Sequence, residues 1–158
     1  MTVAAYTGTF DPVHLGHLAV IETAATMFDE VIVVVLGNPS KRSGLLDVPT
    51  RVDLLERSIT RLANVRCVSH RGLAADAVRA AGASIIVRSV HKERDDELVM
   101  AATNRAVGGI GTGFVRPPMA SSWISSSTVR TLLAEGHIDD ACAMVPAPVA
   151  EHLRSVAG

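Results

Sequence analysis

Two histidines three positions apart, His14 and His17, stand in the run Gly8-Thr9-Phe10-Asp11-Pro12-Val13-His14-Leu15-Gly16-His17. Imidazoles three apart share one face of a helix, and each can donate or accept a hydrogen bond near neutral pH. Beside them Gly8 lets backbone come close to a ligand and Thr9 offers a hydroxyl. Such a set, in this place, suits a phosphate. Two cations, Lys41 and Arg42, follow in a loop of turn-forming residues, and a third, Arg88, closes an apolar run. Far downstream Ser125, Ser126 and Ser127 precede Val129, Leu132 and Leu133, the pattern of a serine-capped helix. Plainer roles compete for each group. A lone histidine often caps a helix or packs, the basic pair can be a solvated loop, and the serines can be an N-cap only. The two histidines could also bind zinc, although no further ligand pattern accompanies them.

The elements that must position these groups can be read from periodicity. Residues 3–7 form a buried strand and an amphipathic helix starts near Leu15, so residues 8–17 are a strand-to-helix turn. In parallel α/β proteins such turns gather backbone N–H groups and the positive end of a helix dipole at the carboxyl edge of the sheet. Residues 31–36 are six apolar residues without alternation, a strand buried on both faces. Residues 37–44 are a loop at the same sheet edge. Thr50 with Asp53 reads as a capping-box variant opening a helix to about Leu62. Residues 65–69 are a third strand, 73–81 a helix closed by Gly82, and 83–87 a fourth strand ending on Arg88. The acidic half of the charged run 91–97 opens a helix reaching about Val107, and 112–115 give a fifth strand. The serine-capped helix ends at Gly136, and residues 139–144 and 148–156 read as two short helices. Five strands alternating with helices predict an α/β fold, a Rossmann-like, doubly wound, mostly parallel sheet with helices on both faces.

The chain has 158 residues, which suits one domain over 1–158 with one core. A formal net charge of -1 lacks the basic stripe of a nucleic-acid binder, so the expected partner is small. Cys67 and Cys142 form no CxxC pair and read as buried reduced thiols. The longest apolar run, 31–36, is far below the roughly 20 residues that span a bilayer. A cytoplasmic protein without membrane contact is expected.

His14-Leu15-Gly16-His17 resembles the (T/H)xGH signature of the nucleotidylyltransferase superfamily, and Ile124-Ser125-Ser126-Ser127-Thr128-Val129-Arg130 resembles its second signature, ISSSxxR. Asn38-Pro39-Ser40-Lys41, Gly72-Leu73 and Val87-Arg88, at these spacings, narrow the resemblance to bacterial phosphopantetheine adenylyltransferases, over residues 3 to about 153. The resemblance implies transfer of AMP from ATP to 4′-phosphopantetheine by direct in-line attack, with Mg²⁺ beside the ATP and no metal ligands from the protein. It implies that Thr9, Lys41 and Arg88 hold the acceptor phosphate and that Ala74 makes a backbone contact to the pantetheine arm. His17, Lys41 and Arg88 would carry the catalysis. Gly8, Thr9, Phe10, His14, Gly16, His17, Ser89, His91, Glu97, Ile124, Ser125, Ser126 and Ser127 would line the nucleotide. A homo-oligomer, a hexamer, is implied as well.

Three departures from that family's pattern stand in the sequence. Ser89-Val90-His91 replaces the usual Gly-Leu-Arg after Arg88. The segment before Glu97 is about two residues short. His14 stands where threonine is usual, and histidine there is more typical of relatives acting on nicotinamide mononucleotide or glycerol phosphate. Those acceptors, CTP in place of ATP, and a non-catalytic nucleotide-binding module are the alternatives.

Overall fold

In the computed structural model, which describes residues 1–37, 44–90, 105 and 109–157, eleven elements follow one another among the described residues. They are β1 (Val3–Gly8), α1 (Leu15–Met27), β2 (Glu30–Gly37), α2 (Val48–Ser58), β3 (Val65–Arg71), α3 (Ala74–Ala80), β4 (Ile85–Ser89), β5 (Gly111–Val115), α4 (Ser126–Ala134), α5 (Ile138–Cys142) and α6 (Ala147–Ala157). The strands form one sheet in the order β3-β2-β1-β4-β5, and every pairing is parallel. The chain steps outward from β1 to β3, then crosses back to β4. The carboxyl ends of β1 and β4 therefore flank the point where strand order reverses, the place where ligands bind in open α/β sheets. The expected fold is found.

Successive strand residues point to opposite faces, and the two faces feed two cores. On one side Tyr6, Val31, Val33, Val35, Val87 and Val115 pack with α1, α2 and the C-terminal helices; on the other Ala5, Ile32, Val34 and Ile86 pack with Ala77 and Val78 of α3. Residues 31–35 are wholly inaccessible, which explains a run of valine and isoleucine without alternation.

Several boundaries differ from expectation for local reasons. The cap of α2 is Asp47, whose carboxylate accepts from the Thr50 N–H at 2.8 Å, so the helix starts before Thr50 and takes Pro49 into its first turn. It stops at Ser58, whose hydroxyl donates to the Leu54 carbonyl. β3 runs two residues past Ser69 because His70 and Arg71 continue the ladder against Leu36 and Gly37. The helix expected through about Val107 lies outside the described residues apart from Arg105. At the end of α1, Asn64 donates to the carbonyls of Ala25 and Phe28 at 2.8 and 3.1 Å, supplying partners that a helix terminus lacks.

Candidate active site

The turn between β1 and α1 is built on its aromatic residue. Phe10 has φ +48 and is 1% exposed, and few non-glycine residues adopt that left-handed conformation. Its ring lies over Gly8, where an added Cβ would sit 3.1 Å from the ring tip. Gly8 thus makes room for Phe10, and the burial of that ring leaves the Phe10 backbone as the part able to meet a ligand. The ring edge also meets His17, with centroids 4.8 Å apart, and Tyr6, at 5.5 Å.

His14 is the N-cap of α1, and its Nδ1 accepts from the His17 N–H while His17 Nδ1 accepts from the His14 N–H, each at 3.3 Å. This is a capping box made of two imidazoles. The rings stack at 3.6 Å with an interplanar angle of 24°. An Nδ1 that accepts carries no proton, so the neutral tautomer of each ring has its N–H at Nε2. The capping role of His17 therefore falls on Nδ1, and its N–H is at Nε2. Gly16 has no space for a side chain, since a Cβ would lie 2.9 Å from the His14 ring and 3.0 Å from the Ser121 carbonyl.

The serine-led helix docks on this turn. Ser126 Oγ donates to the Pro12 carbonyl at 2.9 Å, and Arg130 Nη1 donates to the Asp11 carbonyl at 2.7 Å. Ser125 is the N-cap of α4, accepting from the Thr128 N–H at 3.1 Å, and Ser127 Oγ accepts from Arg130 Nη2 at 3.2 Å. All three hydroxyls thus hold the helix start in place, and its N-terminal backbone N–H groups are the donors suited to an anion.

Arg88 and Ser89 close β4 beside this turn. Burial pushes the Tyr6 phenol up to about 12, against the opposing influence of a hydrogen bond with Ser89 and the charge of Arg88. Tyr6 lies 6.3 Å from the His17 ring, so the β4 end, the aromatic pair and His17 form one continuous cluster. Ala74 opens α3, whose core residues face the opposite side of the sheet. Lys41, His91 and Glu97 lie outside the described residues. Among the described residues no three of His, Cys, Asp and Glu come together to hold a metal. Cys67 and Cys142 are unpaired thiols, and burial followed by the charge of Glu56 pushes Cys67 up to about 12. No helix among the described residues is long and apolar enough to cross a membrane.

Arg130, the arginine of the second signature, joins the turn, and so do Asp11 and Arg51, to which sequence assigned no role. Asp11 sits 7% exposed beside the Arg51 guanidinium and accepts the N–H groups of Leu45 and Leu46, each at 2.8 Å. The signal for it was an acid set between the apolar Phe10 and Pro12-Val13, which needs partners when buried.

The chain matches the cytidylyltransferase-like family over residues 5–132. Among solved structures, a candidate nicotinate-nucleotide adenylyltransferase from Vibrio parahaemolyticus is 23% identical, with a TM-score of 0.64 over 97% of this chain and 99% of that one. The lipopolysaccharide core biosynthesis protein from Thermoplasma volcanium GSS1 is 25% identical, with a TM-score of 0.55 over 75% of this chain and 97% of that one. Thermotoga maritima TmcAL bound with alpha-thio ATP is 14% identical, with a TM-score of 0.69 over 98% of this chain and 56% of that one. At these identities the first and third are likenesses of fold.

Proposed function

The chain belongs to the cytidylyltransferase-like family of nucleotidyltransferases, and from that premise we propose that it transfers AMP from ATP to 4′-phosphopantetheine, yielding dephospho-CoA and pyrophosphate. The observation that carries the reading is the contact between the histidine turn and the start of α4, through Ser126 to Pro12 and Arg130 to Asp11. A triphosphate lying along the turn meets imidazole N–H donors at one end and a helix N-terminus at the other.

An acceptor phosphate oxygen attacks the α-phosphorus in line, the bond to the bridging oxygen breaks, and pyrophosphate leaves with the electron pair. The acceptor already carries the charge it needs, so no covalent intermediate forms. Catalysis is positioning and electrostatic stabilisation. His17 Nε2–H donates to the α-phosphate oxygen whose charge grows. His14 fixes the ring of His17 by stacking and by the shared cap. Thr9, Lys41 and Arg88 align the acceptor phosphate, Ala74 meets the pantetheine arm, and the N–H groups at the start of α4 receive the leaving pyrophosphate. Ser89, His91 and Glu97 stand on the nucleotide side. Mg²⁺ would accompany the ATP and would offset the charge of the leaving pyrophosphate. A cytoplasmic homo-hexamer belongs to the same proposal.

A second reading keeps the chemistry and changes the acceptor to a pyridine mononucleotide. His14 at the helix cap favours it, as does the fold likeness to the Vibrio parahaemolyticus protein. A coupled pyrophosphate-release assay decides between them, with ATP or CTP offered against 4′-phosphopantetheine, nicotinate and nicotinamide mononucleotides, and glycerol 3-phosphate. Release fastest with ATP and 4′-phosphopantetheine is expected. Tight ATP binding without release for any acceptor would make the protein a nucleotide-binding module.

A further inference from the structure

Six arginines among the described residues lie against a carboxylate: Arg51 with Asp11, Arg57 with Glu151, Arg61 with Glu22, Arg66 with Glu30, Arg79 with Asp76 and Arg154 with Asp139. Arg71 and Arg116 are exposed and have no carboxylate partner among the described residues. Arg71 ends β3, and Arg116 follows the last residue of β5. These are the two outer strands of a parallel sheet in the order β3-β2-β1-β4-β5. Both arginines therefore stand at the carboxyl edge, one at each corner, with β1 and its histidine turn midway. Strands lie about 4.8 Å apart, so each corner is about 10 Å from the central strand and about 19 Å from the other corner. The stem of Arg71 lies against Gly37, its Cγ 3.6 Å from where an added Cβ would sit. Arg116 lies one residue beyond the bond from the Val90 N–H to the Val115 carbonyl. Asp11 and Asp47, acids at the same edge, are engaged, the first by Arg51 and the second by the Thr50 N–H. Two uncompensated cations thus flank the turn in a chain whose formal net charge is -1.

We propose that Arg71 and Arg116 are capture residues, which draw anionic substrates onto the histidine turn from its two sides, Arg71 the acceptor phosphate ester and Arg116 the nucleoside triphosphate. The inference rests on the adenylyl-transfer reading and adds to it how the two substrates are sorted. In that reading Ala74, three residues beyond Arg71, meets the acceptor, and Ser89, paired with Val115 just before Arg116, stands on the nucleotide side. Neither guanidinium touches the transferring group. At about 10 Å the attraction works through solvent, so it follows the screening length, which is about 14 Å at 0.05 M salt and about 3 Å at 1 M. The first of these lies between the distance from corner to turn and the distance from corner to corner, so each arginine acts mainly on the substrate nearer to it. Fixed charge beside a cleft raises the local concentration and the on-rate of an oppositely charged ligand and leaves the chemical step alone.

The test titrates ATP and 4′-phosphopantetheine by calorimetry into the wild type, Arg71→Gln, Arg116→Gln and the charge-keeping Arg71→Lys and Arg116→Lys, at about 0.05 M and about 1 M salt. At the lower salt Arg116→Gln should weaken ATP by about 3- to 5-fold, and Arg71→Gln should weaken 4′-phosphopantetheine by about 2- to 3-fold, each moving the other substrate by less than about 1.5-fold. At the higher salt both glutamine variants should match the wild type within about 1.5-fold, and the lysine variants should match it at both salts. In pyrophosphate release, kcat should move by less than about twofold in every variant. A loss that persists at high salt, or that lysine does not restore, would mean a direct contact or a structural role and overturns the proposal, as does unaltered affinity at low salt. Losses of one size for both substrates in each variant overturn the sorting. A wild type that binds ATP but neither binds 4′-phosphopantetheine nor releases pyrophosphate with any acceptor overturns the adenylyl-transfer reading, and the acceptor half of the proposal with it, while the ATP titrations still decide the role of Arg116.

Discussion

At the scale of single residues, the site depends on how His17 divides its two nitrogens. Nδ1 completes the cap of α1 and Nε2 keeps the proton. In the adenylyl transfer proposed above, His17→Ala would remove the donor that meets charge present mainly in the transition state, so kcat should fall by about 10²- to 10³-fold. Affinity for ATP should change by less than about threefold, because on that proposal the remaining phosphates would keep the α4 N-terminus. Steady-state kinetics with ATP binding by calorimetry separates the two effects. Losses of equal size in both would mean that His17 only binds. The histidines, the serines and Arg88 were legible because motif spacing carries them. The partners of Asp11 and Arg130 were not: the Asp11 carboxylate bonds residues 34 and 35 positions away, and Arg130 reaches a carbonyl 119 positions back. No local pattern encodes such separations.

At the scale of elements, local signals set most boundaries and failed where two of them overlapped. Asp47 and Thr50 are both good caps three residues apart, and the carboxylate captured the Thr50 N–H. The Thr50 hydroxyl, and next its backbone N–H, hold the Asp47 carboxyl below the usual carboxylate range. A folded-state pKa below the unfolded one, about 3.9, means that the stabilisation is full at neutral pH. It is lost as pH falls through the folded value. Asp47→Ala should therefore lower the urea midpoint at neutral pH, and the gap from wild type should narrow as pH drops below about 4. A gap that stays constant into acid would show that the cap works without its charge. The extension of β3 to Arg71 has a different origin. Polar His70 and Arg71 do not look like strand, yet this edge strand pairs with β2 along its whole length, and pairing overrides composition.

At the scale of the whole molecule, the family match ends at residue 132, but the core does not. Val145, Val149, Ala150 and Leu153, the last 2% exposed, pack into the same cluster as α1 and α2. The Leu15 N–H, in the first turn of the histidine-capped helix, donates to the Met144 carbonyl at 3.0 Å. The C-terminal helices therefore close the sheet face on which the histidine turn rests, and they fix the start of α1. Leu153→Ala should destabilise the protein by about 2–5 kcal/mol, while Val156→Ala, at a position 66% exposed, should change stability by less than about 0.5 kcal/mol. Urea unfolding followed by circular dichroism measures both. A Leu153→Ala protein that unfolds at the wild-type midpoint would make the tail an appendage. A single cooperative transition shifted for the whole chain would show that the helices beyond the family boundary and the histidine turn fold as one unit.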